Sequence, residues 1–168
     1  MKKKFFIGLF IVAAIGLFVF AHIALKHNSD IEQQTVQQNL KAPIEIPEGN
    51  ILAFSEAQKL EKPTIVMFYV DWCTYCRRFM PKFAQYSKEF GENYNFAVVN
   101  CDFPENRALV EEYHIMGFPS LFMVDKKLDF QYQINSIATI DKDVMKKELN
   151  KYLNLRNKAL KNWLTINF

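Results

Sequence analysis

Three rhythms of apolar and polar residues follow one another along this chain. Residues 5–25 form an apolar run free of Asp, Glu, Lys and Arg, with His22 near its far end as the one polar interruption. That is about the ~20 residues an α-helix needs to cross the hydrocarbon core of a bilayer. Residues 27–47 are polar and glutamine-rich, with Pro43 and Pro47 near the end, a composition that buries little apolar surface. They are expected to form a flexible linker, with Ile31 to Leu40 able to form a transient helix. Then the pattern tightens. Thr64 to Val70 is β-branched and aromatic and follows Lys62-Pro63, which predicts a strand buried on both faces. From Cys73 onward Phe79, Phe83, Tyr86 and Phe90 recur at helical intervals, with Arg77, Lys82, Gln85 and Lys88 between them, so a helix is expected to begin close to Cys73.

Charge sharpens the division. The chain carries 21 Lys and Arg against 18 Asp and Glu, a formal charge of +3. Lys2, Lys3, Lys4 and Lys26 all lie beside the apolar run, which leaves 17 bases against 18 acids, a net charge near −1, for the rest. The excess of bases thus belongs to the anchor, and no nucleic-acid footprint is present. The lysine cluster is expected to stay inside and the rest to be exported. Residues 1–26 are therefore read as a cytoplasmic tip and an uncleaved, single-pass transmembrane signal anchor. A cleaved signal peptide is the alternative, since Val19-Phe20-Ala21 could be a small-x-small site. The stretch beyond the linker is long enough for one core.

Chemistry concentrates in Trp72-Cys73-Thr74-Tyr75-Cys76. A Cys-x-x-Cys pair can hold half a metal site, form a staple or move electrons. No second Cys or His pair follows at finger-like spacing, so a zinc site is disfavoured. At a helix N-terminus, free N–H groups and the dipole favour a thiolate, so Cys73 is read as the nucleophile. Cys76, one turn deeper, is placed to resolve a mixed disulfide. Arg77 can approach the same face and lower the thiol pKa. Cys101 is left over, read as apolar filler at a strand end, with a regulatory disulfide as the alternative.

The strand leading into Trp72-Cys73-x-x-Cys76, Pro81 in the following helix, and Tyr113 to Ser120 with its Phe118-Pro119 together resemble the thioredoxin family. The resemblance covers residues 48–155 and implies an α/β fold with a central mixed β-sheet flanked by helices, behind the N-terminal transmembrane helix. It implies further that Phe96 to Asp102 is a strand, Glu105 to Tyr113 a short helix, Leu121 to Gln133 a closing hairpin and Asp141 to Leu155 the last helix. Pro119 is then cis and faces the cysteines, the Phe118 backbone pairs with substrate, and Trp72 shields the thiols and offers an aromatic rim. Thr74 and Tyr75 are exposed in the same substrate-binding stretch. The cofactor is the redox-active disulfide Cys73-Cys76, with no metal, flavin or nucleotide.

Departures carry information too. Ordinary thioredoxins hold a buried aspartate at the position of Met67 and a lysine at that of Val98, which assist proton transfer at the second cysteine. Here both are apolar. Thr74-Tyr75 likewise replaces the usual Gly-Pro. Asp71 is read as a solvated carboxylate and His114 as solvent-facing. The tail, residues 156–168, with Leu160, Trp163 and Leu164 at helical spacing, is expected to pack on the domain, with a partner-binding element as the alternative. Asp71 to Arg77 is similar to reducing domains that face the periplasm. That similarity implies a thiol-disulfide oxidoreductase of the bacterial inner membrane whose domain lies in the periplasm. It would act on protein disulfide or dithiol substrates and draw on a membrane-integral electron donor. A tethered oxidase or isomerase, or a thioredoxin-like binding module with little turnover, is the alternative.

Overall fold

The computed structural model of the chain describes residues 20–27, 42–48 and 50–167. It divides into two units, Met1–Ala42 and Pro43–Phe168. In the first, residues 20–27 are helical and exposed. Residues 5–19 of the expected span and 28–41 of the expected linker lie outside the described residues. Among the described residues no helix is long and apolar enough to cross a membrane.

The second unit is built on a mixed sheet of β1 (Ile51–Ala53), β2 (Thr64–Tyr69), β3 (Asn95–Asn100), β4 (Ser120–Asp125) and β5 (Phe130–Gln133). Its strand order is β1-β3-β2-β4-β5. The first three in that order run parallel, while β4 pairs antiparallel with β2, and β5 with β4. Helices α1 (Phe54–Ala57), α2 (Thr74–Phe90), α3 (Arg107–Glu112) and α4 (Lys142–Asn167) complete it.

Every residue of β2 is buried, because the strand is central and covered on both faces, as its uninterrupted apolar run predicts. Side chains alternate across a strand, so β2 serves two cores. Ile65, Met67 and Tyr69 pack with Phe79, Met80 and Phe83 of α2 and with Met145, Leu149 and Tyr152 of α4. Val66 and Phe68 face the opposite way, onto Phe54 and Ala57 of α1 and onto Tyr113 and Phe122. The expected apolar stripe of α2 is the buried one, with Cys76, Phe79, Phe83 and Tyr86 inside and Pro81 within the helix. At the far end of β4, Asp125 is 1% exposed and held by the Lys127 N–H, the Tyr152 hydroxyl and the Arg156 Nε–H at 2.6 Å.

Two boundaries differ from expectation. The last helix does not stop at Leu155. It runs to Asn167, since no Gly or Pro interrupts residues 142–167. The tail is accordingly an extension of α4: among its described side chains Asn157, Lys158, Ala159, Lys161, Asn162, Trp163 and Thr165 are exposed, while Arg156 and Leu160 are half-buried. At the other end, the linker expected to reach Pro47 is already part of the second unit from Pro43. Ile44 is 7% exposed in the same core as the two cysteines, because a β-branched apolar residue there gains more by burial than the linker loses by being fixed.

Candidate redox site

Strand β2 delivers its last residue, Tyr69, to a turn in which the Cys73 N–H donates to the Val70 carbonyl at 3.2 Å. Cys73 then takes the N-cap position of α2, with extended φ and ψ of −81° and 109°. Its Sγ accepts the Cys76 N–H at 3.1 Å, the bond an N-cap oxygen usually makes. One turn on, Cys76 closes a disulfide with Cys73, their Cα atoms 5.2 Å apart. The two sulfurs are not equivalent. Cys73 keeps 6% exposure and Cys76 none, so a partner sulfur can approach only the first.

Antiparallel pairing opposes Phe68 to Ser120, which brings the loop before β4 against the end of β2. The Phe118-Pro119 bond is cis, as the resemblance implied. Met116, Gly117 and Phe118 line one side of an open groove of about 450 Å³, with Trp72, Cys73, Thr74 and Tyr75 on the other. Trp72 meets Phe118 edge to face, with centroids 6.1 Å apart. Trp72, Tyr75 and Met116 are 62%, 71% and 98% exposed, a charge-free apolar rim for an extended chain segment. Pro119 is half-buried, and Phe118 rather than Pro119 lines the groove.

Below the groove lies a polar network that the sequence did not reveal. The Asp102 carboxylate accepts the Asp71 N–H at 2.8 Å and the Trp72 indole N–H at 3.0 Å. The Asp102 N–H in turn donates to Asn100 Oδ1, and Asn106 Nδ2–H donates to the Asn100 carbonyl. Asp71 is not the solvated carboxylate expected: its two oxygens accept the Ile44 N–H at 2.8 Å and Asn100 Nδ2–H at 2.9 Å. Arg77 Nη2–H reaches the Asp71 carbonyl at 2.6 Å, so its guanidinium bridges the start of α2 to the residue before Trp72. Asn100 and Asp102 flank Cys101 at the polar exit of β3, the one sequence signal that could have marked them.

The remaining candidates separate cleanly. Met67 is fully buried and pairs in register with Val98, so both positions stay apolar in the core that contains Cys76. Burial, then the charge of Asp71, raise the Tyr69 hydroxyl above its usual range. Cys101 is a free thiol, half-buried, with its N–H on the Tyr69 carbonyl. Burial pushes that thiol up to about 11, with the Asp102 charge adding to the effect, as suits the packing role expected of it. His114 is exposed and adopts a left-handed φ of 49°. Its N–H and that of Ile115 return to Glu111 and Val110 and close the end of α3, a backbone duty usually given to glycine.

A fold with paired cysteines at a helix start beside a cis-proline loop defines a dithiol redox domain, and the comparisons agree. The thioredoxin family model matches residues 51–153. The chain belongs to the thioredoxin family. It is 31% identical over 79 residues to the chloroplastic thioredoxin-like protein HCF164 of Oryza sativa, covering 47% of this chain and 30% of that one. It is 39% identical over 66 residues to the thiol:disulfide interchange protein TxlA homolog of Synechocystis, covering 38% and 36%. With protein disulfide-isomerase A5 of Bos taurus it shares 31% over 88 residues, 52% of this chain and 17% of the relative. The matches thus cover little more than a third of these curated relatives at most. The fold matches a thioredoxin from Thermus thermophilus with a TM-score of 0.53 at 19% identity, over 64% of this chain and 88% of that one. Family membership and the Cys73-Cys76 disulfide make residues 51–153 a thioredoxin-family domain that carries a paired-cysteine redox motif.

Proposed function

We propose that this protein is a membrane-anchored, extracytoplasmic reductase of protein disulfides. The observation that carries the reading is the asymmetry of the two sulfurs. Cys73 opens to the groove at a helix N-cap, and Cys76 is shut behind it. In the reduced form the Cys76 N–H and the dipole of α2 stabilise a Cys73 thiolate. Arg77 adds positive charge one turn away. The thiolate attacks a substrate disulfide held along Trp72, Thr74, Tyr75, Phe118 and Pro119, which forms a mixed disulfide and releases one substrate thiolate. Cys76 then attacks Cys73 Sγ, re-forms the intramolecular disulfide and expels the second thiolate. Two electrons pass to the substrate, whose sulfurs take up two protons. No group beyond the cysteine pair is needed for these steps.

Residues 5–25 supply the anchor in this reading, with Lys2, Lys3 and Lys4 inside and the catalytic domain in the periplasm of a bacterial inner membrane. Cleavage after Ala21 would leave the same domain soluble. A chain that reduces substrates there must itself be reduced, and a membrane-integral dithiol protein is the donor this reading requires. Likeness to a disulfide-isomerase favours a second reading, a tethered isomerase or oxidase. Cys76→Ser in living cells tests the catalytic assignment: substrates should accumulate as mixed disulfides on Cys73, and recovery of none points to a binding module with little turnover. The reduction potential decides direction. A value near the ~−270 mV of thioredoxin supports the reductase, and one near ~−120 mV makes it an oxidase.

A further inference from the structure

Cys73 forms part of the groove wall, and Cys76 is fully buried behind it. A disulfide therefore reaches the pair only by lying in the groove, where its neighbours in the substrate chain must rest on Trp72, Tyr75, Met116 and Phe118. None of the groove's lining residues carries a charge. The carboxylates that adjoin it are already occupied. Both Asp71 oxygens are taken by the Ile44 N–H and the Asn100 amide, and both Asp102 oxygens by the Asp71 N–H and the Trp72 indole.

Two residues of the loop before β4 are not explained by folding. Ile115 packs against the core, but Met116 beside it points outward and is 98% exposed, so its apolar surface gains nothing until something covers it. Gly117 has no positive φ, and a Cβ there would meet nothing within 4 Å. Neither turn geometry nor packing asks for glycine at that position, and its missing side chain keeps the groove open. Single apolar residues on a surface are ordinary, whereas Trp72, Tyr75 and Met116 share one groove with the reactive sulfur.

From this we infer that the groove selects disulfides whose flanking residues are apolar and uncharged, and that Met116 is the side chain that determines this specificity. The inference rests on the exchange at Cys73 proposed above and names its substrate class. An apolar neighbour laid on Trp72, Tyr75 and Met116 leaves water and binds more tightly. A lysine or glutamate laid there loses water without gaining an opposite charge, so both signs are disfavoured alike. Methionine suits the position because its unbranched thioether side chain repacks against partners of different shapes, which makes the groove selective for a class rather than for one sequence.

Four peptide disulfides test this, dimers of Ser-Gly-X-Cys-X-Gly-Ser with X leucine, serine, lysine or glutamate. The full chain, in nonionic detergent, is reduced beforehand and freed of reductant. Its Cys73 and Cys76 thiols are then oxidised to their disulfide as each peptide dimer is reduced to two thiols. Each second-order rate constant is divided by that of the same peptide with dithiothreitol, which removes differences in intrinsic reactivity. The leucine peptide should react about tenfold faster than the lysine and glutamate peptides, with serine between them. Added salt should leave the lysine-to-glutamate ratio near one. Met116→Leu should keep that order. Met116→Lys should break it, with the glutamate peptide overtaking the lysine peptide by about threefold at low salt. Equal normalised rates for all four peptides, or a wild-type preference for either charge, overturn the selectivity. An order untouched by Met116→Lys overturns the assignment to Met116. Neither result disturbs the reductase reading, which fails, and this inference with it, if the protein reduces none of the peptides and not the small bis-hydroxyethyl disulfide either.

Discussion

Replacing Met67 with aspartate should speed the second half of the exchange and cost stability in a pH-dependent way. Met67 is fully buried in the core shared with Cys76, opposite Val98, so nothing at either position can take the Cys76 proton. In the wild-type protein that proton must leave to water or to the departing substrate thiolate, and resolution should be slow. A positioned general base contributes typically ~10²–10⁴-fold, and because the introduced carboxylate would have no lysine at position 98 to assist it, the lower figure is the expectation. The cost follows from burial. A carboxyl group in a fully buried site has its pKa raised, by as much as ~3 units above the ordinary ~3.9. Each unit is about 1.4 kcal/mol, so the charged form would cost about 4 kcal/mol. The sign is set by proton binding. The folded state holds the proton over the window from about pH 4 to about pH 7 while the unfolded state has lost it, so the variant should lose stability as pH rises through that window. Stopped-flow reduction of a model disulfide, followed by Trp72 fluorescence, measures resolution, and urea denaturation at pH 5 and pH 8 measures stability. The reasoning is refuted if wild-type resolution is as fast as an ordinary thioredoxin's, or if the aspartate leaves the rate unchanged while the variant stays folded.

Three further outcomes are expected. His114→Gly should stabilise the domain by about 0.5–1 kcal/mol in chemical denaturation, because glycine adopts the observed φ of 49° without a Cβ penalty; a loss of stability would contradict the cap assignment. Asp102→Ala should cost about 0.5–1.5 kcal/mol, since it removes two solvent-exposed hydrogen bonds, from the Asp71 and Trp72 N–H groups, and it should loosen Trp72, read as a shifted indole N–H resonance; an unmoved indole signal would count against the network. Cys101 should react with iodoacetamide at pH 8 about a hundredfold more slowly in the folded, oxidised protein than after unfolding, because its pKa is raised from 9.0 to about 11. The stability contributed by keeping that thiol protonated is fully present below pH 9 and is lost as pH rises through about 11; equal labelling rates would show the thiol to be unprotected.

How much can be read in advance depends on how local the cause is. Strand β2 and helix α2 are legible because burial on two faces and a one-face stripe leave a period in the sequence. The placement of Cys73 at the helix start is legible for the same reason. The cis Phe118-Pro119 bond and the groove that Phe118 lines are expected only through family resemblance, since periodicity does not reveal which loop faces which. The end of α4 is not legible because the sequence there merely lacks a stop signal. The pairing of Asp71 is hidden because a carboxylate's neighbours come from elsewhere in the chain.

By itself, then, the sequence determined two thiols one turn apart, the strand that precedes them and an apolar run over residues 5–25. Tertiary structure alone decided that Cys73 keeps an open edge while Cys76 has none, that Met116 and Phe118 face them across a groove, and that Ile44 and Asn100 hold Asp71 beneath Trp72. The physical reason is range. Helix and strand periods arise from neighbours within a few residues, whereas exposure and carboxylate pairing are set by packing between segments 27 to 31 residues apart.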